Sequence, residues 1–217
     1  MKKLKSGIRP LAAVLLLAAM LMADVSGAGE QIPVIERLQE KYGSITTIEA
    51  DFTQEFSSAM GGVQTSSGKV YMKKPGKMRW NYREPIQDEI VSDGRTIWVY
   101  QPDLNQVILR PVDEAATSIA TDFLSGIGQI TRDFHAEIYG ESPEAWTLKL
   151  TPRSPQPNLK ILLLDVDKQS LLATRTAMTD HFGNETRVSF SGIKLNHAIA
   201  GLLFDFTPPE GASIIRP

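Results

Sequence analysis

The sequence predicts a β-rich α+β domain built on one large antiparallel sheet. About ten or eleven short segments alternate apolar and polar residues, which is the period-two pattern of half-buried strands. These segments follow one another closely, which favours hairpins over the long crossovers that parallel strands need. Apolar stripes with helical spacing occur at only two places, residues 31–44 and 115–127.

The first element is a helix over residues 31–44, because its apolar positions recur at spacings of three and four. These positions are Ile32, Ile35, Leu38 and Tyr42. A strand follows over residues 48–56, where apolar residues fall on one parity and charged or polar residues on the other. Further strands are predicted at 68–74, 78–82, 106–110, 136–139, 146–151, 159–166, 171–178, 186–194 and 202–207. The last of these ends at Pro208-Pro209, which cannot continue a ladder.

A hairpin is predicted over residues 89–100, since Asp93-Gly94 is a strong signal for a two-residue turn. That turn pairs Ser92 with Arg95, so Ile90 lies opposite Ile97 and on the same face of the sheet.

The second helix is predicted over residues 115–127. Asp113 can cap its start, whereas Gly126 and Gly128 weaken its end. Phe123 and Leu124 stand next to each other near the end of its apolar stripe.

The chain begins with the pattern of a secretory signal peptide. Four basic residues precede an apolar run over residues 11–22, which is shorter than the roughly 20 residues that span a bilayer. We expect cleavage after Ala28, with Ala23 as the second choice and an uncleaved membrane anchor as the alternative. Residues 1–28 are then a removed signal peptide, and residues 29–217 form a single domain.

Charge and cysteine content exclude some classes of protein. Removal of residues 1–28 leaves 19 basic and 24 acidic side chains, a net charge of −5, so nothing favours nucleic acid or anionic headgroups. The chain has no cysteine, and a bacterial lipoprotein needs one at its cleavage site. The protein is therefore not itself lipid-anchored in that way.

The search for catalytic or metal-binding patterns is negative. His135, His181 and His197 are scattered, with no helical metal pair and no cysteine partner. No nucleophile elbow, P-loop or dinucleotide fingerprint occurs. Residues 165–167 and 181–184 are interpreted as turns rather than calcium or catalytic loops. No cofactor is expected, and an envelope hydrolase is the weakest hypothesis.

The hydrophobic pattern alone predicts only a secreted β-rich domain. In such a domain the apolar faces of the sheet and of the second helix could bury one another as an ordinary core. The residue motifs go further. Residues 48–54 read IEADFTQ, residues 68–80 read GKVYMKKPGKMRW, residues 90–100 read IVSDGRTIWVY, and residues 204–211 read FDFTPPEG. In this order and spacing they resemble the periplasmic outer-membrane lipoprotein carrier family of the LolA type.

The resemblance implies an open, unclosed antiparallel β-barrel with a helical lid over an apolar cavity. It implies a soluble, monomeric periplasmic chaperone that takes lipoproteins from an inner-membrane ABC-type release complex and delivers them to an outer-membrane acceptor. Shielding is needed because exposing an acyl chain of about 15 methylenes costs about 12 kcal/mol. A same-fold carrier of free lipid, or an envelope-stress sensor, is the alternative.

The binding site is predicted on the concave face and in the lid. We expect Met78, Trp80, Ile90, Ile97 and Val99 to line the concave face, and Phe123 and Leu124 to plug the cavity when it is empty. Many members of the family have arginine before the proline of the second motif, where it holds the lid closed. Lys74 stands there in this chain and keeps the charge without the planar fork of donors. Lys74 is thus the predicted lid latch.

Overall fold

The structure is a computed structural model that describes residues 27–112 and 129–216. Within these ranges it has two α-helices, α1 (Gly27–Ser44) and α2 (Ile130–Asp133), and short 3₁₀ helices at Pro102–Leu104 and Gly201–Phe204. The strands are β1 (Thr47–Ser57), β2 (Val63–Lys73), β3 (Lys77–Glu84), β4 (Glu89–Asp93), β5 (Thr96–Gln101), β6 (Gln106–Pro111), β7 (Phe134–Glu141), β8 (Ala145–Pro152), β9 (Ile161–Asp167), β10 (Ala173–Thr179), β11 (Glu185–Leu195) and β12 (Ser213–Ile215).

Two predicted segments lie wholly or almost wholly outside these ranges. The signal peptide over residues 1–28 overlaps them only at Gly27 and Ala28, the first two residues of α1. The second helix over residues 115–127, which carries Phe123 and Leu124, lies outside them entirely. The cleavage site and the lid therefore stay predictions.

The strands form one twelve-stranded sheet in the order β12-β6-β5-β4-β3-β2-β1-β11-β10-β9-β8-β7. All neighbours are antiparallel except β12, which runs parallel to β6. In the described part of the chain nothing pairs β7 with β12, so the sheet is open. The mostly β, unclosed fold predicted from the sequence is confirmed.

The inner face of the sheet is the face that α1 covers. Alternate residues of ten strands, β1 to β5 and β7 to β11, meet the apolar stripe of α1 in one core. That stripe consists of Val34, Ile35, Leu38 and Tyr42, all buried. Removing such side chains from water stabilises the fold by about 1.5–3 kcal/mol each, which fixes the helix against the sheet.

The strand predicted over residues 202–207 is wrong. Residues Gly201–Phe204 form a 3₁₀ helix, with Leu203 N–H donating to the Ala200 carbonyl at 3.1 Å. The segment crosses the outer face of the sheet instead of joining an edge. Phe204 is fully buried there, and the ring of Phe206 lies about 6 Å from those of Trp98 and Tyr100.

An arginine helps to hold this C-terminal segment. Arg79 donates to the Leu203 carbonyl at 3.1 Å and forms an ion pair with Glu89. The alternating apolar residues that suggested a strand thus pack in a second, smaller core on the outer face. This core depends on contacts between residues distant in sequence, which local periodicity does not reveal.

The register of the β4–β5 hairpin also differs from the prediction. Ser92 lies opposite Ile97, not Arg95, and Ile90 lies opposite Val99. Asp93 flanks the turn, where its Oδ1 accepts the N–H groups of Arg95 and Thr96, each at 2.8 Å. Gly94 and Arg95 are the two central residues of the turn. Gly94, the first of them, has φ +94°, as a type II′ turn requires. Because the shift is two residues, the side chains keep the predicted face.

Candidate functional site

The five residues predicted for the concave face share the inner face of the sheet. Across β2 to β5 the register sets Met72 opposite Met78, Val70 opposite Trp80, Trp80 opposite Ile90, Ile90 opposite Val99 and Ser92 opposite Ile97. Met78, Trp80 and Ile97 are buried, and Ile90 and Val99 are half-buried against the same core. The sequence therefore placed all five on the apolar face; their contact with cargo stays a prediction.

An aromatic cluster holds Trp80 in place. The ring of Phe52 stands edge-on to Trp80 at 4.8 Å and to Tyr82 at 5.0 Å, and Phe190 lies 6.2 Å from Trp80. Gly68 makes room for Phe52, since a Cβ there would lie 2.8 Å from the Phe52 ring and 2.1 Å from the Asn81 carbonyl oxygen. The glycine of the second motif is thus required by close packing inside the sheet.

An apolar pocket lies on the inner face, but beside these five residues. It is lined by Tyr42, Ile48, Ala50, Val70, Met72, Leu172, Ala173, Phe190, Ile193 and Leu195. Its free volume is about 20 Å³, room for roughly one water molecule. In this conformation the pocket has no room for an acyl chain.

The pocket sits where β10 and β11 separate. Their ladder ends at the pair Arg175 and Ser189, although β11 continues along β1 as far as Leu195. The backbone N–H of Ala173, beyond the end of that ladder, donates instead to the hydroxyl of Tyr42 at 3.0 Å. Tyr42 thus closes the gap with a side chain from α1.

Tyr42 also connects α1 to the other half of the sheet. Its carbonyl accepts a hydrogen bond from the Lys74 ammonium, which comes from the β2–β3 turn. Burial raises the pKa of Tyr42 to about 12, and the hydrogen bond from Ala173 opposes that shift. One residue at the end of α1 therefore joins β10 on one side to the β2–β3 turn on the other.

Lys74, the predicted latch, contacts the end of α1. A cation near the last carbonyls of a helix is favoured by the helix dipole. Burial lowers the pKa of Lys74 from its ordinary value. The segment over residues 115–127, which Lys74 is predicted to hold, lies outside the described ranges.

The acidic and histidine side chains of the described residues are not grouped as metal ligands. These residues contain no group of three or more His, Asp or Glu side chains placed to hold a metal ion. The three histidines have separate partners, which are Arg153 for His135, the Gln156 carbonyl for His181 and Glu49 for His197. Residues 181–184 form the turn between β10 and β11, as predicted. Residues 165–167 instead end strand β9, and the turn follows them at residues 168–170.

Glu49 is the centre of a surface ion-pair network. Lys194 and Lys69 lie 3.2 Å and 3.3 Å from its Oε1, and His197 lies 3.1 Å from its Oε2. The hydrogen bond from Lys194 is the main cause that lowers the pKa of Glu49. The network joins β1, β2 and β11 on the outer face, away from the apolar pocket.

Sequence reasoning missed the pocket, since none of its ten lining residues was among the predicted site residues. Tyr42 was recognised only as part of a helical stripe, and the residues of β10 and β11 only as strand residues. The signal that would identify them is a break in pairing, at Ala173/Arg175 in β10 and opposite Glu49/Asp51 in β11. Such bulges depend on the register between strands and are not visible in a single sequence.

No helix among residues 27–112 and 129–216 is long and apolar enough to cross a membrane.

A family model described as outer membrane lipoprotein carrier protein LolA matches residues 43–207. The outer-membrane lipoprotein carrier protein of Methylococcus capsulatus is 32% identical over 181 residues, which cover 83% of this chain and 86% of that protein. That of Chromohalobacter salexigens is 33% identical over 182 residues, with the same two shares. A crystal structure of an uncharacterized conserved protein from Thermus thermophilus shares the fold, with a TM-score of 0.54 and 15% identity over 86% of this chain and 98% of that one.

Proposed function

The chain belongs to the outer membrane lipoprotein carrier family, LolA, and from this membership we propose that it carries lipoproteins by shielding their acyl chains. The observation that carries the proposal is the family match over residues 43–207, which extends from the end of α1 to beyond Phe204. It includes eleven of the twelve strands, β1 to β11.

The physical support comes from the closed state of the inner face. Among the described residues, the apolar inner face of the sheet packs against α1, and the pocket at Tyr42 is nearly filled. Cargo that enters this pocket therefore displaces side chains that are already buried. The free energy lost by opening offsets part of the roughly 0.8 kcal/mol gained per buried methylene, and this leaves an affinity that permits release.

We assign the contacts with hydrocarbon to the inner face. Met78, Trp80, Ile90, Ile97 and Val99 supply one wall, and the pocket closed by Tyr42 is the adjoining space. Phe123 and Leu124 serve as the displaceable plug, and Lys74 serves as the latch through its bond to the end of α1. These roles extend the family assignment to particular residues and are the part of the proposal that mutation tests.

The family is one of carriers, and we infer that this protein acts without catalysis. We place it in the periplasm as a monomer, because a signal peptide is predicted and a carrier has to move between two membranes. Its proposed partners are lipoproteins destined for the outer membrane, an inner-membrane ABC-type release complex and an outer-membrane acceptor.

Depletion of the protein in its own host tests the proposal. Lipoproteins destined for the outer membrane should accumulate in the inner membrane, as measured by fractionation and immunoblotting. Re-expression of the wild-type chain should restore their distribution. Normal sorting in a depleted strain that contains no substitute carrier would contradict the function.

A further inference from the structure

One end of the sheet exposes large apolar side chains at four successive hairpin connections. Along the sheet order these are Leu104 between β5 and β6, Ile86 between β3 and β4, Met60 between β1 and β2, and Phe182 between β10 and β11. Their exposed fractions are 63%, 36%, 98% and 80%, respectively. We call these four residues the apolar rim.

The turns hold these side chains outward by their own hydrogen bonds. At Met60 the Ser58 N–H donates to the Gly62 carbonyl at 3.0 Å, and Gly61 N–H donates back to the Ser58 carbonyl at 2.9 Å. Gly61 and Gly62 both have positive φ, so the tight loop needs glycine there. Because the loop is closed on itself, Met60 has no local core into which it could fold.

The turn at Phe182 is built in a similar way and is tied to its neighbour. Asp180 Oδ1 accepts the N–H groups of Phe182 at 2.8 Å and of Asn184 at 2.9 Å. The side-chain oxygen of Asn184 accepts the N–H of Ala59 at 3.1 Å, which joins the two turns. Met60 and Phe182 therefore project from one connected structure.

The opposite end of the sheet has a different character. Its described hairpin turns run over residues 74–76, 94–95, 142–144 and 168–172, and none of them exposes a large apolar side chain. The other exposed large apolar residues are Phe56 and Val63 beside Met60, Ile214 and Ile215 on β12, Tyr139 on β7 and Leu202 in the 3₁₀ helix. Exposed apolar turns are thus a property of one end.

We propose that the apolar rim docks onto a lipid surface, with the four turns reaching into the headgroup and acyl boundary. Neighbouring strands lie about 4.8 Å apart, so consecutive hairpins are about 10 Å apart and the rim extends about 30 Å along the sheet. Four separate protrusions over that length fit a broad, yielding surface better than a single concave pocket of a protein. The exposed basic residues Arg83, Arg153 and Lys160 lie at the same end and can face lipid phosphates. The exposed Asp103 and the half-exposed Asp88 and Asp180 lie there as well, so apolar insertion is the main attraction in this proposal.

The inference concerns contact with lipid and does not depend on lipoprotein cargo. Its test is co-flotation of the chain over residues 29–217 with phosphatidylcholine vesicles, with and without phosphatidylglycerol. Wild type should float with both. The double variant Met60→Ser, Phe182→Ser should partition into the vesicles at least about tenfold less than the wild type, since the free energy of insertion scales with the apolar area that is buried.

Leu202→Ser is the matched control, because Leu202 is also 80% exposed but lies on the outer face. It should change partitioning less than about twofold, since it removes one exposed apolar side chain that lies away from the rim. A fluorescent fatty acid should bind wild type, the double variant and the control equally, which separates the rim from the cavity. Three results would each overturn the proposal. The first is no flotation of the wild type, and the second is an equal loss of flotation in the double variant and the control. The third is a double variant that floats like the wild type but transfers less lipoprotein to outer membranes.

Discussion

Tyr42→Phe removes one hydroxyl from the residue that connects α1 to both halves of the sheet. The ring stays, so the apolar lining of the pocket is unchanged. The change leaves the buried N–H of Ala173 without the acceptor that it has at 3.0 Å. An unpaired buried donor costs about 1–3 kcal/mol, and we expect a free energy of unfolding that is lower by about 1–2 kcal/mol.

Urea unfolding followed by circular dichroism measures this loss. With a slope of about 2 kcal/mol per molar urea, the midpoint should fall by about 0.5–1 M. Amide exchange adds a local measurement, since the N–H of Ala173 should lose protection before the rest of β10. Because the same bond holds the closed state, a fluorescent fatty acid should also bind more tightly, by up to about fivefold for each 1 kcal/mol that is lost.

Tyr139→Phe is the control, because its hydroxyl belongs to an exposed residue of β7. It should change stability by less than about 0.5 kcal/mol. If Tyr42→Phe shifts the midpoint no more than Tyr139→Phe does, and the Ala173 amide stays protected, then Tyr42 does not fasten α1 to the sheet and the reasoning is refuted.

Three other predictions follow from the same contacts. Lys74→Leu removes the hydrogen bond to the Tyr42 carbonyl and should give tighter cargo retention and poorer hand-over. Retention is measured by release of lipoprotein from spheroplasts, and hand-over by its transfer to outer membranes. Unchanged hand-over would mean that Lys74 is no latch. Burial raises the pKa of Tyr42 and of Tyr82 to about 12, so their contribution to stability is present below pH 10 and is lost as the pH rises from 10 through 12, by about 1.4 kcal/mol per pH unit for each group. Tyr82→Phe should reduce the slope of urea midpoint against pH in that window, and an unchanged slope would contradict the assignment. Trp80 fluorescence should shift when a fluorescent fatty acid binds, and binding without a shift would remove Trp80 from the site.

The sequence predicted most of the sheet because strand residues obey a local rule. In β1, Ile48, Ala50 and Phe52 alternate with polar residues, and the same alternation gave β3 and its inner-face Trp80. Even the wrong register of the β4–β5 hairpin kept the correct face, since an error of two residues preserves parity. Family motifs then supplied the open sheet, which periodicity alone did not distinguish from an ordinary core.

The errors arose where contacts are distant in sequence. Residues 202–207 have the alternation of a strand, but Phe204 is buried on the outer face and Leu203 is bound by Arg79, which is more than a hundred residues away. The pocket at Tyr42 escaped prediction for a similar reason, since it depends on where β10 and β11 stop pairing. Local patterns determine which way a side chain points, whereas these features depend on which segments meet.

The cargo that accompanies the protein out of the periplasm tests the central claim most directly. The carrier should be isolated from its own host under mild conditions, and the bound species identified by mass spectrometry. We expect acylated lipoproteins in a complex of about one to one, and less bound lipoprotein when Trp80 is replaced by a polar residue. Free phospholipid or fatty acid as the sole bound species would contradict the claim and favour the same-fold carrier of free lipid instead.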